Sequence, residues 1–145
     1  MQVASAYDTG LPDESVDVIF SMSLIHHLEI PSLLHEMLRI LAKEGRVILK
    51  EPIRFSAGYA RLRKLLPARE DVEISDYEHP LTRDELAAVC TPFQQEGLRY
   101  FRLPFIPLFQ RFGPQASLWS ADRWLIRHLP WVNRYATSVV VHLQR

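Results

Sequence analysis

An apolar strand–helix–strand pattern in the first third of the chain constrains the fold more than any other feature. Residues 16–20 form a short β-branched run after a turn-rich segment, and residues 46–50 form a second such run. Between them, leucines recur at helical spacing over residues 34–41, with Ser32 as the expected N-cap and Gly45 as the expected residue after the helix. Two strands joined through one helix form a βαβ unit, so we predict that these strands are parallel.

Further elements follow this unit along the chain. Thr82 and Glu85 have the spacing of a capping box, in which each side chain satisfies an unpaired backbone amide, and they open a predicted helix that runs through Val89. Alternating residues predict strands over 97–103 and 137–143. The other predicted segments are a helix over 57–66 and a solvated acidic loop over 69–78. This order of elements indicates an α/β sheet covered by helices on both faces.

Charge is distributed unevenly along the chain. The 145 residues carry 17 basic and 17 acidic side chains, so the formal net charge is zero. Seven of the basic residues but only one acidic residue, Asp122, lie in residues 97–145, together with nine aromatic residues. We therefore expect partners at this basic, aromatic third, and nucleic acid is the least favoured of them, because its phenylalanines at near-helical spacing are typical of a core or lid.

Composition, cysteine content and the apolar runs exclude several classes of protein. With 48% hydrophobic and 23% charged residues, the chain is neither disordered nor collagen-like nor a coiled coil. The single cysteine, Cys90, lies in a helical pattern, and no Cys/His spacing predicts a metal site. There is no basic and apolar leader and no run of about 18 apolar residues, so we expect a cytoplasmic protein that is neither secreted nor membrane-spanning.

Three segments in the first third together resemble a known enzyme family. They are Leu11-Pro-Asp-Glu-Ser-Val-Asp-Val-Ile-Phe-Ser21, Leu24-Ile-His-His-Leu28 and Leu38-Arg-Ile-Leu-Ala-Lys-Glu-Gly-Arg-Val-Ile-Leu49. In this order and spacing they resemble the class I S-adenosylmethionine (SAM)-dependent methyltransferases that act on small molecules. The resemblance covers residues 4–52, and it implies an incomplete Rossmann-like fold, with a mostly parallel sheet, helices on both faces and an antiparallel last strand.

The resemblance also implies which residues contact the cofactor. Ser5 and Ala6 fall where the family has a turn that meets the adenine, although Ser5 replaces the acidic residue of the family pattern. Ser21 and Met22 fall at the end of the family's fourth strand, where relatives line the methionine part of SAM. That placement agrees with the general rule that ligands bind beyond the carboxyl ends of parallel strands.

Three further residues are candidates for substrate contact. His26 and His27 occupy the paired-histidine positions of the family, and either they pack at a helix start or one acts as a base that faces the substrate. Glu51 ends the second predicted strand and faces the same crevice by topology, where it contacts substrate or positions a loop. The sequence assigns no catalytic residue.

The glycine-rich loop with which this family grips SAM is absent from these 145 residues. The five glycines, at positions 10, 45, 58, 97 and 113, do not form a Gly-x-Gly loop. By the resemblance, the chain starts at the family's third strand, so about 60 residues would be missing at roughly 30 per βαβ unit. We therefore expect weak or absent SAM binding by this chain alone, and an exposed apolar edge at residues 16–20.

Two hypotheses about function follow. The first is a SAM-dependent methyltransferase domain, truncated at the N-terminus or one half of a split enzyme, whose intact form methylates a small-molecule or lipid-like acceptor. The second is a catalytically inactive methyltransferase-like interaction module, with a partner chain that completes the sheet. In either case residues 1–145 are predicted to form one partial domain, with residues 1–56 as the remnant of the cofactor side.

Residues 104–134 form the least regular part of the sequence. Four prolines interrupt this segment, and Ser120 is the predicted N-cap of a helix with Trp124 and His128 on one face and Arg123 and Arg127 on another. Three interpretations stay open: a substrate cap or insert, packing over the sheet with arginines that reach water, and peripheral contact with a membrane surface.

Overall fold

A four-stranded mixed sheet organises the computed structural model, which describes residues 3–54, 79–103 and 115–145. The strand order is β1-β2-β4-β3, with β1 parallel to β2 and β4 antiparallel to both β2 and β3. Strands β1, β2 and β3 therefore end at one common edge, the carboxyl edge of the sheet. The elements are β1 (Val16–Met22), α1 (Ile30–Ile40), β2 (Leu41–Pro52), α2 (Arg83–Cys90), β3 (Gln94–Phe101), α3 (Gln115–His128) and β4 (Ser138–Gln144), with 3-10 turns at Ile25–His27 and Pro130–Tyr135.

The predicted βαβ unit is confirmed, but the joint between its helix and its second strand differs. Glu29 occupies the N-cap position of α1, and the Ser32 hydroxyl donates to the Glu29 carboxylate at 2.6 Å instead of capping the helix. The chain passes directly from α1 into β2 at the fully buried Leu41, so Gly45 lies within the strand. A Cβ at Gly45 would come within 2.8 Å of the Ala42 carbonyl oxygen and the Leu41 side chain, so close packing excludes a side chain there.

Helices cover one face of the sheet and form the core with it. Alternate residues of β2 and β4 on this face, such as Val47 and Val141, are fully buried. Leu33 and Met37 of α1 and Leu86 and Val89 of α2 belong to the same apolar cluster. On the opposite face, β1 presents Val18, Phe20 and Met22, which are 53%, 65% and 57% exposed. Among the residues that the structure describes, β1 pairs only with β2, so it is the exposed apolar edge that the sequence predicts.

Sequence predictions for the later elements have mixed outcomes. The Thr82–Glu85 capping box is present and opens α2. The N-cap predicted at Ser120 is wrong, because α3 already begins at Gln115 and the Ser120 hydroxyl donates to the Ala116 carbonyl. The predicted helix over 57–66 and the loop over 69–78 lie outside the described residues. No helix among the residues described is long and apolar enough to cross a membrane.

Candidate functional site

The candidate site lies where β1 and β2 end at the carboxyl edge of the sheet. After β1, Ser23 adopts a left-handed backbone conformation, with φ of 52°, and its amide donates to the Lys50 carbonyl at 2.8 Å. The chain therefore turns sharply across the end of β2 rather than continuing away from the sheet. This turn brings the segment 24–27 over Glu51 of β2.

Glu51 is a buried carboxylate that fixes this segment. It is 2% exposed, and its Oε1 accepts from the backbone amides of Leu24 and Ile25 at 3.1 Å each. Its Oε2 lies 2.8 Å from Nδ1 of His26, whose side chain is 9% exposed. Because a carboxylate only accepts, the hydrogen-bond network assigns the imidazole proton to Nδ1 and leaves the Nε2 lone pair as an acceptor.

The three candidate substrate residues predicted from the sequence lie together in the structure. Glu51 contacts His26 directly, and the rings of His26 and His27 lie 4.0 Å apart between centroids. A carboxylate that orients an imidazole through Nδ1 is the arrangement in which the second ring nitrogen can take up a proton. We refer to His26 and Glu51 as the dyad.

The structure brings together only two of the four predicted cofactor residues. Ala6 and Ser21 line one small cavity of about 140 Å³ between β1 and α1. The Ser21 hydroxyl is buried and has no hydrogen-bond partner among the described residues. Met22 points to the opposite face of the sheet, because neighbouring residues of a strand alternate, and Ser5 is exposed, with its hydroxyl accepting from the Tyr7 amide.

The turn before β1 is held by a buried carboxylate that sequence reasoning missed. Glu36 of α1 accepts from the Thr9 amide and hydroxyl at 2.8 and 2.6 Å, and Arg39 donates to it through Nε and a terminal nitrogen at 2.8 Å each. The Arg39 and Thr9 hydrogen bonds lower the pKa of Glu36 to about 2. Its stabilising effect is therefore complete above the pKa of the unfolded chain, near 4.5, and is lost as the pH falls toward 2. The i,i+3 spacing of Glu36 and Arg39 on a predicted helix is the one sequence signal that could have indicated this ion pair.

A second buried carboxylate, Asp122, fixes α3 beside β3. It is 2% exposed, and it accepts from the backbone amides of Arg102 at 3.0 Å and Leu103 at 2.8 Å. The sequence shows Asp122 only as the one acidic residue in a basic region, and its partners are backbone groups that no motif reveals. On the same helix Trp124 is exposed and stacks on His128, with 4.8 Å between ring centroids.

The chain is similar to known methyltransferases in the sequence of its first third and in its fold. Residues 1–49 match the family model described as a methyltransferase domain. No curated protein matches the chain. A geranyl diphosphate C-methyltransferase from Streptomyces coelicolor A3(2), solved with Mg²⁺, geranyl diphosphate and S-adenosyl-L-homocysteine, is 13% identical with a TM-score of 0.61, over 99% of this chain and 53% of that one.

Two further solved structures are also similar to this chain in fold. A SAM-dependent methyltransferase from Archaeoglobus fulgidus is 12% identical with a TM-score of 0.59, over 98% of this chain and 66% of that one. One from Methanosarcina mazei is 15% identical with a TM-score of 0.58, over 99% of this chain and 66% of that one. The chain thus spans about half of the first structure's length and just under two thirds of the other two.

Sheet order, helix placement and these likenesses define a Rossmann-like α/β fold of the kind found in SAM-dependent methyltransferases. In sequence, residues 1–49 match the family model described as a methyltransferase domain. The resemblance drawn from the three sequence segments is therefore confirmed.

Proposed function

We propose that this chain is part of a SAM-dependent methyltransferase that acts on a small-molecule acceptor. The observation that carries the proposal is the dyad, which lies at the carboxyl edge of β1 and β2 in a chain whose first 49 residues match the methyltransferase domain. In open α/β sheets this edge is where ligands bind. The related geranyl diphosphate methyltransferases, crystallised with SAM or with S-adenosyl-L-homocysteine, support the same cofactor and a small acceptor.

Ala6 and Ser21 are the residues that we propose contact the cofactor. SAM supplies a methyl group on a positively charged sulfur. The buried, unpartnered Ser21 hydroxyl fits such a role, because a bound polar group would satisfy it. The cavity of about 140 Å³ is smaller than the roughly 300 Å³ at which small-molecule sites begin, so these residues form only part of a cofactor site.

We propose that the rest of the cofactor site comes from further polypeptide paired with the open edge of β1. The apolar face of β1 is exposed in the described structure, and the first structural relative is about twice as long as this chain. A segment with a glycine-rich loop, in the same chain or in a partner chain, would complete both the sheet and the site. In this proposal residues 1–56 are the cofactor side of the domain, and residues 104–134 form a cap. The cytoplasmic location expected from the sequence stays a prediction.

The dyad has a defined task in the proposed reaction. Methyl transfer is an in-line displacement, in which the protein mainly positions the reactants and removes a proton where the acceptor carries one. Glu51 holds the segment 24–26 and the Nδ1 proton of His26. With SAM bound at this edge to supply the methyl group, Nε2 of His26 would accept the proton that the acceptor loses as it is methylated.

A SAM titration followed by NMR tests this proposal on the chain as it stands. We expect binding weaker than about 1 mM, with amide shifts concentrated at Ala6, Ser21 and the dyad, because only part of the site is present. Ser21→Val should remove these shifts, whereas Ser15→Ala, which changes an exposed hydroxyl bonded to the Pro12 carbonyl, should leave them intact.

Two results would argue against the proposal. Amide shifts confined to other parts of the sheet, or none at SAM concentrations raised to about 10 mM, would exclude this edge as a cofactor site and would favour the inactive interaction module. Micromolar binding would contradict the requirement for further polypeptide.

A further inference from the structure

A large groove lies between β3 and α3, two strands away from the dyad. Its volume of about 740 Å³ falls within the range of small-molecule sites, roughly 300–1,000 Å³. Three arginines line it, Arg99 from β3 and Arg123 and Arg127 from α3, together with the aromatic side chains of Phe101 and Trp124. Arg123 and Arg127 are one helical turn apart, so they present their charges on the same side of α3.

The described residues do not neutralise the positive charge of the groove. None of its three guanidinium groups forms a hydrogen bond or ion pair with any residue that the structure describes. Asp122, the one acidic residue in 97–145, is buried on α3 with both carboxylate oxygens bound to backbone amides. Guanidinium groups present a fixed fork of donors that matches carboxylate and phosphate geometry. The groove is therefore built to attract an anion.

Two other features of the groove concern the shape and polarity of its lining rather than its charge. Trp124 is 57% exposed and stacks on His128, which gives the groove a flat apolar wall. Asn133 also lines the groove, and its Oδ1 is buried with no donor among the described residues.

We propose that this groove binds an amphipathic anion, with its carboxylate or phosphate held by Arg99, Arg123 and Arg127 and its apolar body against Trp124. Where this anion is the methyl acceptor, the inference rests on the function proposed above. Phe101 ends β3 at the carboxyl edge, two strand spacings or about 10 Å from the end of β2 that carries Glu51. An acceptor anchored in the groove therefore has to extend over about that distance to reach His26.

A pair of probes with the same aromatic body tests the charge requirement directly. Calorimetric titration of the full chain should show saturable binding of 1-naphthyl phosphate, at least about tenfold weaker binding of uncharged 1-naphthol, and competition by inorganic phosphate. Arg123→Gln with Arg127→Gln should weaken 1-naphthyl phosphate binding by about tenfold or more. Arg46→Gln removes an exposed charge on β2 outside the groove and should leave the affinity unchanged.

The outcomes separate this inference from its alternatives. Absent binding of 1-naphthyl phosphate, equal affinity for the two probes, or no effect of the paired arginine substitutions in a variant with unchanged circular dichroism would overturn the proposal. Co-sedimentation with vesicles of phosphatidylcholine and phosphatidylglycerol at low salt, without binding of the soluble probe, would assign the arginines to a membrane surface instead. The SAM titration probes the ends of β1 and β2, whereas the naphthyl probes report on the groove beside β3, so either proposal can fail alone.

Discussion

The buried carboxylate of Glu51 does more than any other residue to define the candidate site. It joins two backbone amides and one imidazole, and these three partners come from a segment that lies 25 to 27 residues earlier in the chain. Each of these three hydrogen bonds is ordinary by itself. Together they fix both the course of the segment after β1 and the proton position on His26, which is why the dyad has one arrangement rather than several.

Glu51→Gln should reverse the tautomer of His26. An amide that keeps its oxygen toward the Leu24 and Ile25 amides turns its NH₂ group toward His26, so Nδ1 becomes the acceptor and the proton moves to Nε2. Proton–nitrogen correlation NMR of the ring should show this change. We also expect a loss of about 1–3 kcal/mol in the free energy of unfolding, because the hydrogen bonds lose their charge.

Glu29→Gln is the matched control for that substitution. Glu29 is exposed, bonds to the Ser32 hydroxyl and does not contact the dyad, so the His26 tautomer should not change. If Glu51→Gln left the Nδ1 proton in place, Glu51 would be a structural anchor only.

At the scale of elements, the buried carboxylate of Asp122 links α3 to the end of β3. Asp122 lies within the helix, and its two amide donors follow directly after β3, where Arg102 adopts a left-handed conformation with φ of 65°. The groove between the two elements therefore depends on a helix-to-strand contact that is polar and buried. Removal of this carboxylate should loosen α3 without altering the βαβ unit.

Asp122→Ala should lower the free energy of unfolding by about 2–4 kcal/mol, because two backbone amides lose a charged acceptor and the Leu103 amide is buried. Urea unfolding measures the loss, and hydrogen exchange should show deprotection of the Leu103 amide and of α3 before the rest of the sheet. Asp84→Ala, an exposed acidic residue in the first turn of α2, should cost less than about 1 kcal/mol.

Asp122→Asn provides a second, milder variant in case the alanine variant does not fold. It retains one acceptor oxygen, so its free energy of unfolding should lie between those of the wild-type chain and Asp122→Ala. Equal stability of Asp122→Ala and Asp84→Ala would show that the two amide bonds contribute little.

At the scale of the whole molecule, the two faces of the sheet differ in burial. Helices bury one face, whereas on the other Val18, Phe20 and Met22 form an exposed apolar row. Within the described part of the chain, the strand that carries them is paired on one side only. An unpaired edge with apolar side chains is a template for association with other polypeptide. This surface is the reason for proposing that further polypeptide completes the site.

Phe20→Ser should reduce self-association of the chain in the absence of other polypeptide. Phe20 is 65% exposed, so its replacement removes little buried area while it interrupts the apolar row. Sedimentation velocity over a range of concentrations should show a larger monomer fraction than for the wild-type chain. Trp131→Ser, which removes a 59% exposed aromatic residue outside β1, should not change the distribution. A wild-type chain that stays monomeric at all concentrations would contradict the expectation.

The sequence by itself determined the elements whose signals are local. The β-branched runs of β1 and β2, the leucine spacing of α1 and the capping box of α2 depend on neighbours within a few residues. The order of three sequence segments was enough to show the resemblance to the methyltransferase domain model that residues 1–49 match. The exact joint at Leu41 was not predicted, because tertiary burial of Leu41 overrides the helix-ending signal of Gly45.

Only the tertiary structure decided which polar groups meet. The sequence named His26, Glu51, Ala6 and Ser21 as candidates, but the dyad, the separation of Met22 from Ser21 and the anchoring of α3 by Asp122 involve partners that are distant along the chain or belong to the backbone. Buried charges need specific partners to offset the loss of water, and packing rather than local pattern supplies them. The strand–helix–strand pattern thus fixed the architecture, while the site arose from contacts between its distant parts.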